Sequence, residues 1–199
     1  MATPDAPTRD RILATAGEVF YQKGLSGARM QEIADQAGIN KALLHYYFRS
    51  KEQLFDTVFQ RALGQFLGGI ARVLQGEAPL RVKIGQYVAY TTTTLAETPA
   101  LAAFIVHELQ QHPERLSGQF SDGQVIDFER FREQLVAVAP RFQMPRAAEH
   151  FFANMVALCV YPVLAAPLLG RLTHQTGPQY RRFLRERAVH VTELLLGQL

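Results

Sequence analysis

The amino-acid sequence predicts an all-α protein. Apolar residues recur with a 3.6-residue period in one run after another, and no segment alternates as a half-buried strand would. Prolines and glycines fall between the runs rather than inside most of them. With 199 residues and 48% hydrophobic content, the chain can bury one sizeable core, or a small module fused to a larger one. No repeat at solenoid spacing is present.

Taken in order, Thr8 is placed to cap a first helix whose apolar face runs Ile12, Ala16, Val19 and Phe20. Met1 to Thr8 reads as a frayed polar tail. Lys23-Gly24 is the stop signal. Short helices are expected over Met30–Ala37 and Lys41–Phe48, separated by Gly38-Ile39-Asn40. Ser50-x-x-Gln53 is a capping-box pattern opening a long helix through Leu54, Phe55, Val58, Phe59, Ala62 and Phe66. Further helices are expected over 80–96, 99–112, 124–138, 145–169 and 178–197, with Pro99, Pro113, Pro140 and Pro145 between them and Pro178 opening the last.

Several classes of function are excluded. One cysteine, Cys159, rules out a disulfide framework and suits a reducing cytoplasm. The first residues contain no apolar run of the kind a secretory signal needs. Phe151 to Gly170 has no charged residue and the length of a membrane span, but Asn154, Pro162 and Pro167 interrupt it. It reads as a core or subunit-interface helix, and no membrane association is expected. No Gly-x-Ser-x-Gly elbow, phosphate-binding glycine loop or His-Glu-x-x-His occurs, so no catalytic residue and no cofactor is assigned. His107 and His112, five apart, suit one helix face poorly, and no metal site is expected.

The informative segment is Met30 to Leu44. A DNA-reading helix-turn-helix holds two short helices at a fixed angle, so the first needs a small close-approach residue and the turn a residue tolerant of positive φ. Ala34 is that small residue, beside Ile33 and Ala37 on the apolar face, and Gly38 takes the turn. Ile39 plugs the space between helices, and Asn40 caps the second. Leu44 and Phe48 face inward, leaving Lys41, Ala42, His45 and Tyr46 outward. Residues 1–60 carry seven basic and seven acidic side chains, so bulk charge says little. Gln36 to Lys51, however, has three basic residues and no acidic one, which is what short-range phosphate contact requires. An αα-hairpin with a glycine turn shares the pattern as far as Leu44; the residues from His45 to Phe55 separate the two.

Gly38-Ile-Asn-Lys-Ala-Leu-Leu-His-Tyr-Tyr47-Phe48-Arg-Ser-Lys51-Glu-Gln-Leu54-Phe55 resembles the signature of TetR/AcrR-family transcriptional regulators: an Ala-Gly turn, a recognition helix ending in Tyr-Phe, and a lysine opening the fourth helix. The resemblance covers about residues 8–60. The stretch Pro99-Ala-Leu-Ala-Ala-Phe104-Ile-Val-His107-Glu108-Leu109 is similar to a segment of many AcrR-like members. The resemblance implies that Lys51 and Tyr47 contact backbone phosphate, that His45 and Tyr46 approach bases or phosphates, and that Lys41 and Ala42 enter the groove. Lys51 also stands out on physical grounds. A lysine in a first helical turn opposes the helix dipole at a cost of a few tenths of a kcal/mol, about what a phosphate there would repay. The family's usual threonine pair is replaced by Ala28-Arg29. The expectation is that Ser26 caps the second helix instead, and that Arg29, with Met30 beside it, takes the phosphate.

The resemblance further implies an N-terminal three-helix DNA-binding domain over 1–50, joined by a long helix to a helical effector-binding and dimerisation domain over 51–199. The expected partners are a double-stranded DNA operator, a second copy of the chain, and a small hydrophobic effector. The last two helices, rich in small and apolar residues, suit an isologous four-helix interface, with Arg181, Arg182, Arg185 and Arg187 as its solvated rim. Tyr87, Tyr90, Phe104, His107, Glu108, Phe131, Phe152 and Met155 are the candidate effector contacts, an apolar set with a few polar groups. Release of a repressor from its operator is the expected function. Activation, or DNA binding without an effector, is the alternative.

Overall fold

The computed structural model describes residues 6–116, 126–175 and 177–199, all of it helices, turns and connecting segments. The tail expected over Met1 to Thr8 lies mostly outside the described residues, as does the expected helix start at 124. In order, the helices are α1 Ala6–Gly27, α2 Met30–Gln36, α3 Lys41–Tyr47, α4 Lys51–Gln75, α5 Leu80–Glu97, α6 Pro99–Gln111, α7 Phe128–Val138, α8 Ala147–Leu164, α9 Ala166–Leu172 and α10 Pro178–Leu196. Short 3₁₀ turns occupy Pro113–Leu116 and Pro140–Gln143.

Contacts divide the chain into two compact units, 1–65 with 103–119 and 66–102 with 120–199. The first unit therefore takes in the start of α4 and most of α6, beyond the division near residue 50 that the motifs suggest. Its core is aromatic. Phe20 meets Phe55 edge-on at 4.9 Å between ring centroids, and Phe104 lies 5.0 Å from Tyr21, 5.4 Å from Phe55 and 5.7 Å from Phe59. Edge-to-face rings add attraction beyond their buried area. Arg115, on the turn after α6, lies over the Phe55 and Phe59 rings and within 3.1 Å of the Asp56 carboxylate and 3.4 Å of that of Glu108. Buried Glu108 thus has a cation beside it.

Helix α1 already begins by Ala6, so Thr8 lies inside its first turn rather than at its cap. The backbone leaves helical geometry at Gly24 (φ 62°), where Lys23-Gly24 marks a stop. The capping box at α4 is made with a shift of one residue: Ser50 Oγ accepts from the Gln53 amide at 3.0 Å, while Gln53 Oε1 accepts from the Arg49 amide at 2.9 Å.

In the second unit, α10 packs chiefly on α5 and α8, and α7 lies against α5. The core joins Ile84, Tyr87 and Val88 of α5 to Phe131 and Leu135 of α7, Phe151, Met155 and Cys159 of α8, and Val191 and Leu195 of α10. Helices α4 and α5 approach closely because residue 69 is glycine. A Cβ there would fall 2.1 Å from the Tyr90 ring, which stacks beside Phe66 at 6.2 Å.

The single helix expected over 145–169 is broken at Ala165, and the prolines explain why. Pro167 has no N–H to continue the ladder and occupies the first turn of α9, where none is needed. Pro162 sits inside α8 and leaves the Leu158 carbonyl without its helical donor. Arg187 Nη2 of α10 reaches that carbonyl at 3.4 Å, and Tyr180 Oη of α10 donates to the Pro162 carbonyl at 2.7 Å. Arg187 is therefore half-buried and engaged, whereas Arg181, Arg182 and Arg185 are exposed as the rim reading expects.

Ala147–Leu164 is, among the described residues, one helix long and apolar enough by length and composition to cross a membrane; a third of that window is buried in the fold. Its exposed positions include Tyr161 and Leu164, and Leu168 and Leu172 of α9 are exposed further along the chain.

Burial pushes the Cys159 thiol up to about 12 from its ordinary 9.0, with Arg187 drawing it back in part. A raised folded-state value means that the native chain holds a proton the unfolded chain releases. The resulting stabilisation is complete below pH 9.0 and is lost as pH climbs toward about 12. Iodoacetamide at pH 8 is expected to leave the folded protein unmodified and to label it fully in urea. The part of the alkaline stability loss that starts near pH 9.0 should disappear in Cys159→Ala. Rapid labelling of the native protein would contradict this burial.

Candidate nucleic-acid interface

The turn between α2 and α3 decides where the candidate surface points. Gly38 has φ 65°, a conformation that L side chains rarely adopt, and a Cβ there would meet nothing within 4 Å. The demand for glycine is therefore conformational rather than steric. Around it the Gly38 amide donates to the Asp35 carbonyl at 3.2 Å and the Ile39 amide to the Ala34 carbonyl at 3.0 Å. These are the two bonds of a Schellman motif, which closes α2 and satisfies its last carbonyls. Asn40 then starts α3: its side chain accepts from the Leu43 amide at 2.8 Å. Ile33, Ala34, Leu44 and Phe48 are buried, and Ile39 is half-buried.

This frame leaves one face of α3 in solvent. Lys41, Ala42, His45 and Tyr46 are exposed, Tyr47 is half-buried, and the two tyrosine rings meet edge-on at 5.7 Å. Arg49, just past the helix, is also exposed. The motif does not single it out, although it lies in the acid-free stretch from Gln36 to Lys51. Nearby acids of α2 are engaged: Glu32 pairs with Lys23 at 2.5 Å, and Asp35 accepts from Gln31 at 2.8 Å.

The start of α2 departs from expectation. Its N-cap is Arg29, in extended conformation and without a side-chain cap, and Ser26 is not at that position. Arg29 is exposed, Met30 half-buried. Lys51 is half-buried, and its Nζ donates to the Ala28 carbonyl at 3.2 Å. That single bond joins the start of α4 to the residue before Arg29, so Arg29 and Lys51 stand together at one edge of the α3 face. An ammonium has three donors, and two remain for a phosphate oxygen.

The eight candidate effector contacts are divided between the two units. Tyr87, Phe131 and Met155 lie in the core of the second unit, with Tyr90 and Phe152 packed against it. Phe104, His107 and Glu108 belong instead to the first unit. The buried face of α6 runs Leu101, Phe104, Ile105 and Glu108, a helical stripe that leaves His107 outside, and His107 is exposed. Phe104 fills the aromatic cluster and Glu108 faces Arg115, so neither is open to a ligand. Two described cavities lie in the second unit. One, of about 390 Å³, is lined by Arg132, Val136, Phe142, Met144, Arg146 and Glu149 among others. The other, too tight for water, lies beside Thr92, Cys159 and Arg187. Neither is lined by any of the eight.

Two short helices locked by a glycine turn, with the second helix exposed, have the arrangement of a helix-turn-helix. Residues 12–58 match the model of the family described as bacterial regulatory proteins, tetR family. Over those residues the chain is similar to that family. It is 38% identical over 72 residues to the HTH-type transcriptional activator FasR of Mycolicibacterium smegmatis, covering 36% of this chain and 33% of that one. It is 36% identical over 107 residues to the HTH-type transcriptional repressor NicS of Pseudomonas putida, covering 54% of this chain and 44% of that one. The matched segments thus span less than half of either relative. The solved structure of the fatty acid degradation regulator FadR from Bacillus halodurans superposes with a TM-score of 0.64 over 98% of this chain and 97% of that one. At 19% identity, that likeness shows the fold alone.

Lys51→Ala should weaken binding to specific and random duplexes alike, because phosphate contacts position without specifying. Lys41→Ala should instead erode discrimination, costing about 1–3 kcal/mol on the preferred site. Titrations against several duplexes at two salt concentrations separate the two effects. Wild-type behaviour in both variants would place the DNA-binding surface elsewhere.

Proposed function

We propose that the protein is a transcriptional regulator, not an enzyme, that binds a two-fold symmetric operator as a homodimer in the cytoplasm and is released by a small apolar effector. The observation that carries this reading is the exposed face of α3, held by the Gly38 turn and flanked by Arg29 and Lys51. Arg29, Met30, Lys41, Ala42, His45, Tyr46, Tyr47 and Lys51 form the DNA-contacting set, with Arg49 added. Residues 1–50 read DNA, and 51–199 bind the effector and dimerise. The relatives include a named repressor and a named activator.

The dimer surface is the apolar stripe Tyr161, Leu164, Leu168 and Leu172, at helical spacing across α8 and α9, with Leu194 of α10. Tyr161 is 57% exposed, Leu168 55% and Leu172 68%, a row that water alone covers poorly. Leu195 is fully buried within the protomer, so a charge there would unfold the chain rather than separate two chains. Helix α4 contributes residues to both units, and a ligand-dependent shift of it would change the spacing of two recognition helices, which must stand about 34 Å apart.

Sedimentation without detergent should show a dimer at micromolar concentration, and Leu168→Glu with Leu172→Glu should give a folded monomer. A wild-type monomer would remove the symmetric-operator reading. An effector found by thermal shift should bind operator-saturated protein more weakly, by the same factor by which it weakens operator binding. An unchanged effector affinity on DNA would remove the release mechanism.

A further inference from the structure

Helix α5 turns three polar side chains into the interior of the second unit. Lys83, Tyr87 and Thr91 lie four residues apart, on one face, and none is more than 1% exposed. A buried ammonium is stable when a carboxylate accompanies it. Lys83 has none within ion-pair distance among the described residues. Its Nζ donates to one neutral acceptor, Gln134 Oε1 of α7, at 3.1 Å. The nearby acid, Glu77, is engaged by Arg130 at 3.1 Å and points largely to water. Arg130 itself repels the Lys83 charge, and both burial and that repulsion hold the lysine below its ordinary value, against a partial pull from Glu77.

The second observation is independent. Thr91 Oγ1 is buried and makes no hydrogen bond of ordinary length, the Tyr87 hydroxyl being its one weak partner. It stands about 12 Å along the helix axis from Lys83. Between them lies Tyr87, in a core of Phe131, Phe151 and Met155. The face of α5 thus carries a charged end, an aromatic middle and a hydroxyl held only weakly.

We propose that the effector is an elongated apolar anion, a carboxylate or a phosphate monoester, whose head group pairs with Lys83 and the Gln134 amide while its apolar body lies along Tyr87 toward Thr91. This rests on the effector reading above and narrows it to one charge class. A neutral or cationic ligand would leave the Lys83 charge uncompensated.

The test uses the full chain, wild type and Lys83→Met, with dodecanoate, dodecyl phosphate, dodecanol and dodecylammonium below their micelle concentrations. Ligand-free Lys83→Met should melt above wild type, since an unpaired buried charge is removed, and should bind operator as wild type does. Calorimetry should show at least one anion binding wild type about tenfold or more tighter than dodecanol, with the preference gone in Lys83→Met. A Lys83→Gln variant should lose the same preference, which separates lost charge from altered packing. A lower melting point for Lys83→Met would mean that the fold already satisfies the charge, and would overturn the proposal. So would equal affinity for alcohol and anion, a preference that survives the substitution, or no binding by either anion. If dodecanol or dodecylammonium binds and releases operator, the effector reading stands and the anion site falls. If an anion binds through Lys83 yet operator affinity is unchanged, the site stands and the effector reading falls.

Discussion

The positive φ of Gly38 is the constraint on which the DNA-facing surface depends. It permits the two reversed hydrogen bonds that end α2, and it sets the direction in which Asn40 starts α3. A seven-residue helix is too short to be stable alone. Helix α3 persists because its cap is satisfied and Leu44 and Phe48 are buried, and those same two residues determine which side chains are left outside. The outward placement of Lys41, His45 and Tyr46 is therefore a consequence of inward packing. The Lys51 bond to the Ala28 carbonyl acts beside it: one cation ties the start of α4 to the entry of α2 and draws two basic positions to one edge.

The second unit solves a different problem. An apolar helix carrying Pro162 and followed by Pro167 has backbone carbonyls that its own ladder cannot satisfy. The donors come from α10, where Arg187 and Tyr180 reach the carbonyls of Leu158 and Pro162. The cost of the prolines is thereby offset by side chains 18 and 29 residues further along. Lys83, with one neutral hydrogen-bond partner, is the buried charge on α5.

Much of the candidate interface was legible in the sequence because its determinants are local. Gly38, Asn40 and the spacing of Ala34, Leu44 and Phe48 act within a few residues of one another, so the turn, the cap and the exposed face follow from adjacent side chains. The cap of α2 was not legible: Ser26 was the better capping residue by type, but the chain reaches helical geometry only after Arg29. The effector contacts were read from residue type along the chain, and type does not say which unit a helix face joins. His107 fell one position off the buried stripe of α6, and Phe104 went to the rings of α1 and α4.

The sequence by itself determined the helical class, the order and approximate limits of the helices, and the helix-turn-helix, since periodicity, caps and breakers are short-range properties of the chain. Only the tertiary structure decided where that order is cut and pooled. Helix α6 is shared between two units because its stripe finds aromatic partners in the first, and α10 supplies donors where the prolines of α8 and α9 leave gaps. It also decided that Lys83, an ordinary lysine in the sequence, is wholly enclosed. Burial depends on residues far apart in the chain, and no local pattern records which of them will meet.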